Sequence, residues 1–170
     1  SVMRPLPSLH ELRSEPIRPM RFSSLQYGQW ISGEREMADG AYRIVVIGAG
    51  FGGLTAAKIL KQRGIDFTVY EKADEVGGTW RENTYPGLYV DVPSRQYEFP
   101  FRPNYDWSRQ FAPAPEIQAY IKDVTDELGL RRFIRFNEEV VSVRFEDGRW
   151  RIVTAKGETD IADAIICATG

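Results

Sequence analysis

A chain of 170 residues with 42% apolar residues can bury one core, and a formal net charge of −2 gives no electrostatic reason to expect a nucleic-acid partner. One cysteine, Cys167, excludes an intrachain disulfide or a paired-thiol redox centre, and one histidine, His10, nearly excludes a zinc site or a Ser-His-acid triad, so no metal is expected. No apolar run approaches the roughly 18 residues of a membrane span, and the N-terminus lacks a secretory signal's apolar stretch; a cytoplasmic protein is the default, and any enzymatic chemistry must come from a cofactor.

Residues 1–40 carry Pro5, Pro7, Pro16 and Pro19, which rule out a long helix. Leu9, Leu12, Phe22, Leu25, Tyr27 and Trp30 are too apolar for a purely solvated tail. The segment reads as an arm on the domain surface or on a partner, with a disordered leader as the alternative. Ser1 is not a natural start, so a trimmed end is expected.

The domain proper is expected over residues 41–170. Ile44-Val45-Val46-Ile47 is an uncharged run of the kind that forms a strand buried on both faces. Gly48-Ala49-Gly50-Phe51-Gly52-Gly53 then makes a turn, Leu54 to Arg63 reads as a helix, and Asp66 to Tyr70 as a second strand ending at Glu71. This is the order of a dinucleotide-binding βαβ unit. Gly48 allows the tight turn, Gly50 lets a pyrophosphate approach the backbone, and Gly53 lets helix and strand pack closely, with help from Ala56 and Ala57. Free N–H groups of the first helical turn would face the phosphates. Glu71 follows Gly50 by 21 positions, near the roughly 20 expected of the acid that binds the adenosine ribose, and it disfavours a 2′-phosphate in this site.

Gly77-Gly78-Thr79-Trp80 places a second glycine pair soon after that acid, where a larger ligand could again meet the backbone. Residues 81–115 are aromatic, proline-rich and aperiodic, as functional loops often are. Asp91 stands between Val90 and Val92, either as a turn acid or as a carboxylate beside a cofactor ring. Ile117, Tyr120, Ile121, Val124 and Leu128 recur with helical period, and Gly129 suits the cap. No chemistry is expected of that helix. Val141, Val143 and Phe145 alternate toward one face, Asp147-Gly148 turns, and Trp150, Ile152 and Thr154 return. A third strand near Glu158 to Ile161 completes an antiparallel ribbon. Ala164 to Ala168 is a last buried strand, ending in Thr169-Gly170. The class is therefore α/β: a Rossmann-like parallel sheet with an antiparallel β-meander.

Gly77-Gly78-Thr79-Trp80, Tyr85-Pro86-Gly87, Asp91, Ser94 and Tyr97 resemble the Baeyer–Villiger monooxygenases and their flavin-containing monooxygenase relatives, over residues 42–170. The resemblance implies FAD as cofactor. Gly48, Gly50, Phe51, Gly52 and Gly53 would hold its pyrophosphate, Glu71 its ribose, and Lys72 would flank adenine. Gly78, Thr79 and Trp80 would line the path to the flavin, and Val141 or its neighbour Val140 would meet adenine by its backbone. Asp91, Tyr97 and Thr169 would lie toward the ring, with Asp91 as the catalytic carboxylate tuning charge there. The family reaction uses NADPH and oxygen, through a flavin C4a-peroxide, to oxidise a ketone or a soft nitrogen or sulfur atom.

A second glycine fingerprint for NADP, the family's FxGxxxH string and an arginine partner for Asp91 are not in this chain. It thus reads as the first FAD segment of an incomplete two-dinucleotide flavoprotein, without its NADP domain and without turnover on its own. The alternatives are a non-catalytic FAD-binding module, or a flavin dehydrogenase or oxidase sharing only the FAD half.

Overall fold

The computed structural model describes residues 42–170; the expected arm over residues 1–40 lies outside them. Strand β1 (Arg43–Ile47) lies in the middle of a parallel sheet. Strands β2 (Asp66–Tyr70) and β7 (Ala164–Cys167) flank it, and the two-residue β3 (Ile134–Arg135) pairs beyond β2. Helix α1 (Phe51–Gln62) joins β1 to β2, and helix α3 (Ala114–Glu127) packs in the same layer, after the one-turn α2 (Thr79–Glu82).

The uninterrupted apolar run of β1 has a direct cause: both faces of the strand are covered. Ile44 and Val46 belong to the core under the helices, while Val45 packs with Tyr70, Ile152 and Ala162 on the other side. That second cover is an antiparallel sheet of β4 (Val140–Glu146), β5 (Arg149–Thr154) and β6 (Thr159–Ala162). Asp147 and Gly148, both at positive φ, make the two-residue turn expected between β4 and β5. Arg43 ties the layers together: its guanidinium donates to Asp160 at 2.7 Å and Asp66 at 3.0 Å, and the Tyr70 hydroxyl donates to Asp160 at 2.8 Å. Burial alone would raise the Asp160 carboxyl, but the bonds from Arg43 and Tyr70 outweigh it and hold the group below its ordinary range.

Two expectations need correction. Val141, Val143 and Phe145 do not share a buried face. The β4–β5 register shifts between Val140 and Ser142, which turns Val141 outward at 59% exposed while Val140 and Val143 pack against the second core; Phe145 keeps the face of Val143, 5.2 Å from the Trp150 ring, but is also 59% exposed near the hairpin end. The helix expected to start at Leu54 starts at Phe51, because Gly50 is already the extended residue before its first turn.

The aperiodic stretch before α3 is ordered by buried side chains and by a few backbone bonds, such as Val90 N–H to the Ala112 carbonyl at 3.1 Å. Phe99 is buried against Phe51, Phe101 and Tyr120, at centroid distances of 4.5, 5.1 and 5.7 Å. The Tyr120 hydroxyl accepts from Phe99 N–H at 2.8 Å and donates to the Arg102 carbonyl at 2.6 Å. Burial pushes its phenol up to about 12. Ser94, also buried, accepts from Ala112 N–H at 2.8 Å and donates to the Gln110 carbonyl at 2.9 Å. No helix among the described residues is long and apolar enough to cross a membrane.

Candidate dinucleotide-binding cleft

A cleft of about 530 Å³ opens at the carboxyl ends of β1, β2 and β7, the edge where open α/β sheets bind ligands. Its floor is the glycine turn. Gly48 has φ +99°, and a Cβ there would lie 2.4 Å from the Ala168 carbonyl oxygen, so turn and terminal strand permit only glycine. The first helical bond of α1 runs from Leu54 N–H to the Gly50 carbonyl at 3.0 Å. The N–H groups of Phe51, Gly52 and Gly53 precede that ladder and lie at the positive end of a helix of 12 residues.

The three remaining glycines of the turn differ in what holds them. Gly53 is sealed inside: a Cβ would come within 1.8 Å of the Gly48 carbonyl oxygen, and the residue does not line the cleft. Gly50 does line it, has φ −81°, and a Cβ there would meet nothing nearer than Gly78 Cα at 3.7 Å, an ordinary contact. A Cβ on Gly52, also in the lining, would meet only the Ala168 side chain at 3.7 Å. The fold thus demands glycine at 48 and 53 but not at 50.

Glu71 is buried at the end of β2. One of its oxygens accepts from Ala49 N–H at 2.6 Å and the other from Ala73 N–H at 2.9 Å. It staples the glycine turn to the loop after β2, and each oxygen keeps a second lone pair for a hydroxyl donor. This fold-holding role was not legible in the sequence. Lys72 is exposed at the rim. Glu138 also lines the cleft, with Lys156 donating to it at 2.6 Å; that bond, foremost, holds its carboxyl below the ordinary range, so its charge is paired.

The opposite wall comes from Gly77, Gly78, Thr79 and Trp80. Trp80 Nε1–H donates to the Tyr97 hydroxyl at 3.2 Å, and Tyr97 stands edge-on to Phe51 at 5.1 Å. The cleft therefore gathers Gly48, Gly50, Phe51, Gly52, Glu71, Lys72, Gly78, Thr79, Trp80, Tyr97, Val140 and Thr169. Three expected residues lie outside it. Gly53 is behind the turn. Val141 faces out at the bulge, whereas its neighbour Val140 lines the cleft. Asp91 is exposed beside the bridge that pairs Tyr89 with Pro113, and no hydrogen bond links it to the described residues. The cleft residues that sequence reasoning missed, among them Tyr70, Asn83, Glu138 and Glu139, carry no local motif and are brought together by strand ends and by the end of α2.

Known proteins resemble this chain over most of its described residues. Residues 46–113 match the family described as an NAD(P)-binding Rossmann-like domain. A Baeyer–Villiger monooxygenase of Streptomyces coelicolor is 48% identical over 140 residues, covering 81% of this chain and 27% of that protein. The structure of an oxidized steroid monooxygenase bound to NADP superposes with TM-score 0.72 at 38% identity, over 76% of this chain and 26% of that one. OTEMO in complex with FAD and NADP superposes with TM-score 0.73 at 32% identity, over 78% and 26%. The chain thus spans about a quarter of the length of the relatives it matches. On these identities, and on an α/β fold shared with solved monooxygenases, the chain is a homologue of about a quarter of a Baeyer–Villiger monooxygenase.

Proposed function

We propose that this chain binds FAD and is the FAD-binding segment of an NADPH-dependent monooxygenase that places one oxygen atom from O₂ into a ketone, or onto a soft nitrogen or sulfur atom. The observation that carries the reading is Gly50. It forms the cleft floor with a conformation open to any residue and room for a Cβ, so the missing side chain answers to an occupant and not to the fold. The full reaction belongs to the longer protein, and its relatives' names support it: a Baeyer–Villiger monooxygenase, and a structure holding both FAD and NADP.

FAD would supply the hydride acceptance and oxygen activation that no side chain here can perform. The residues of this chain bind and orient. The N–H groups of Phe51 and Gly52 would take the pyrophosphate, with the positive end of α1 offsetting its charge. Glu71 would accept from the ribose hydroxyls with the lone pairs that Ala49 and Ala73 leave free. Lys72 and the Val140 backbone would frame adenine. Gly78, Thr79, Trp80, Tyr97 and Thr169 would line the way to the ring. A catalytic role for Asp91 would need a wall that the described residues do not supply, since the side chain lies off the cleft.

Titrating the chain with FAD and following flavin fluorescence tests this. Saturable 1:1 binding with Kd of about 1 μM or below, near −8 kcal/mol, is expected. No binding at about 100 μM would overturn the reading. Glu71→Ala should weaken FAD by about 1–3 kcal/mol. It should also cost about 2 kcal/mol of stability in urea unfolding, because two backbone N–H groups lose their buried acceptor. A variant that loses affinity at unchanged stability would mean that Glu71 contacts only ligand.

A further inference from the structure

Gly77 and Gly78, which face the glycine turn across the cleft, sit on the loop between β2 and α2, and a side chain from elsewhere in the fold grips that loop. Gln118, on α3, donates from Nε2 to the Val76 carbonyl at 2.7 Å. Val76 is fully buried, and no backbone N–H donates to that carbonyl. The other amide atom, Gln118 Oε1, is buried with no hydrogen-bond partner. It lies where a Cβ on Gly77 would come within 1.9 Å, a contact that the flexible amide could relieve by turning, whereas the φ of +132° at Gly77 is what requires glycine. The first member of the pair is therefore explained by the loop's own backbone, not by close approach of a ligand.

An unpaired buried amide oxygen is costly, and an apolar side chain beside Ile117 and Ile121 would avoid that cost. What Gln118 adds is a hold on the loop. With the Val76 carbonyl fixed, Gly77 N–H is directed to the Ala49 carbonyl at 3.1 Å, and Gly78 lies against Gly50, where a Cβ on Gly78 would be 3.3 Å from Gly50 Cα. The loop is thereby moored to the turn that forms the cleft floor.

We infer that Gln118 is a positioning residue for the cleft: it sets the spacing between the Gly77-Gly78 wall and the Gly50 floor through the Val76 carbonyl. Its effect on ligand rests on the reading of the cleft as an FAD site; its hold on the loop does not.

Gln118→Met separates the two. Methionine keeps length and shape, removes the donor and removes the unpaired Oε1, so one unpaired buried atom replaces another and the thermal midpoint should shift by less than about 3 °C. Exchange of the Gly77 N–H should quicken about tenfold, and the FAD Kd should rise about 5- to 20-fold. Gln118→Glu should behave likewise at pH 8, where a carboxylate cannot donate, and should regain affinity relative to wild type as acidification restores a donating O–H. Wild-type exchange at Gly77 in both variants overturns the inference, whatever FAD does. Faster exchange with unchanged FAD affinity, or an affinity loss that only follows a fall in the thermal midpoint, overturns it too. If wild type itself takes no FAD, the functional reading fails with the cleft-spacing role, while amide exchange still decides the hold on the loop.

Discussion

Gly50→Val is expected to abolish FAD binding and leave the protein folded. Gly50 is the extended residue before α1, at φ −81° and ψ −168°, a region that β-branched side chains accept readily. A Cβ there has 3.7 Å to its nearest neighbour, Gly78 Cα, so the fold loses little. The valine methyls would reach into the cleft, over the N–H groups at the start of α1, where a pyrophosphate needs close approach to the backbone. The Kd for FAD should rise at least about 100-fold, the equivalent of about 3 kcal/mol. The ligand-free thermal midpoint should stay within about 3 °C. Calorimetric titration and a melting curve on the same sample settle the matter. FAD affinity equal to wild type would mean that the phosphates do not cross this turn.

Gly53→Ala, three residues on, should do the reverse. Its added methyl would lie 1.8 Å from the Gly48 carbonyl oxygen and 2.9 Å from the carbonyl carbon. Those are backbone atoms at the exit of the central strand, held by Gly48 N–H to the Tyr70 carbonyl at 2.8 Å. No rotamer can relieve the clash, so α1 must lift from β1 or the turn must deform. A loss of about 3 kcal/mol or more is expected, a fall in thermal midpoint of about 10 °C. Any loss of FAD should follow from unfolding, and the folded fraction at low temperature should bind more tightly than Gly50→Val does. A stable Gly53→Ala chain would show that helix and strand are farther apart than this packing requires. The pair tests the division of labour within one motif: one glycine for the protein, another for its ligand.

Much of this arrangement was legible in the residues. The apolar run of β1, the glycine turn, Glu71 and the Gly77-Gly78-Thr79-Trp80 string are contiguous, and each is dictated by a local need: two buried faces, close backbone approach, a charge at a strand end. Two-residue turns such as Asp147-Gly148 are equally local, since positive φ narrows the choice of residue. The exposed Val141 was not legible, because a register shift depends on how β4 meets β5 and leaves no mark on alternating hydrophobicity. Nor was the place of Asp91, since its neighbours Val90 and Val92 describe the chain and not the cleft.

The amino-acid order by itself determined the βαβ unit, the glycine turn with its acid and the Asp147-Gly148 hairpin, because those rest on contacts between residues close along the chain. Tertiary structure decided that β7 pairs with β1 and that the antiparallel sheet covers its second face, that Glu71 holds the turn as well as facing the cleft, and that Gln118 reaches from a distant helix to hold the opposite wall. Those assignments rest on gaps of an ångström or two between segments far apart in sequence, and such distances exist only once the layers have packed.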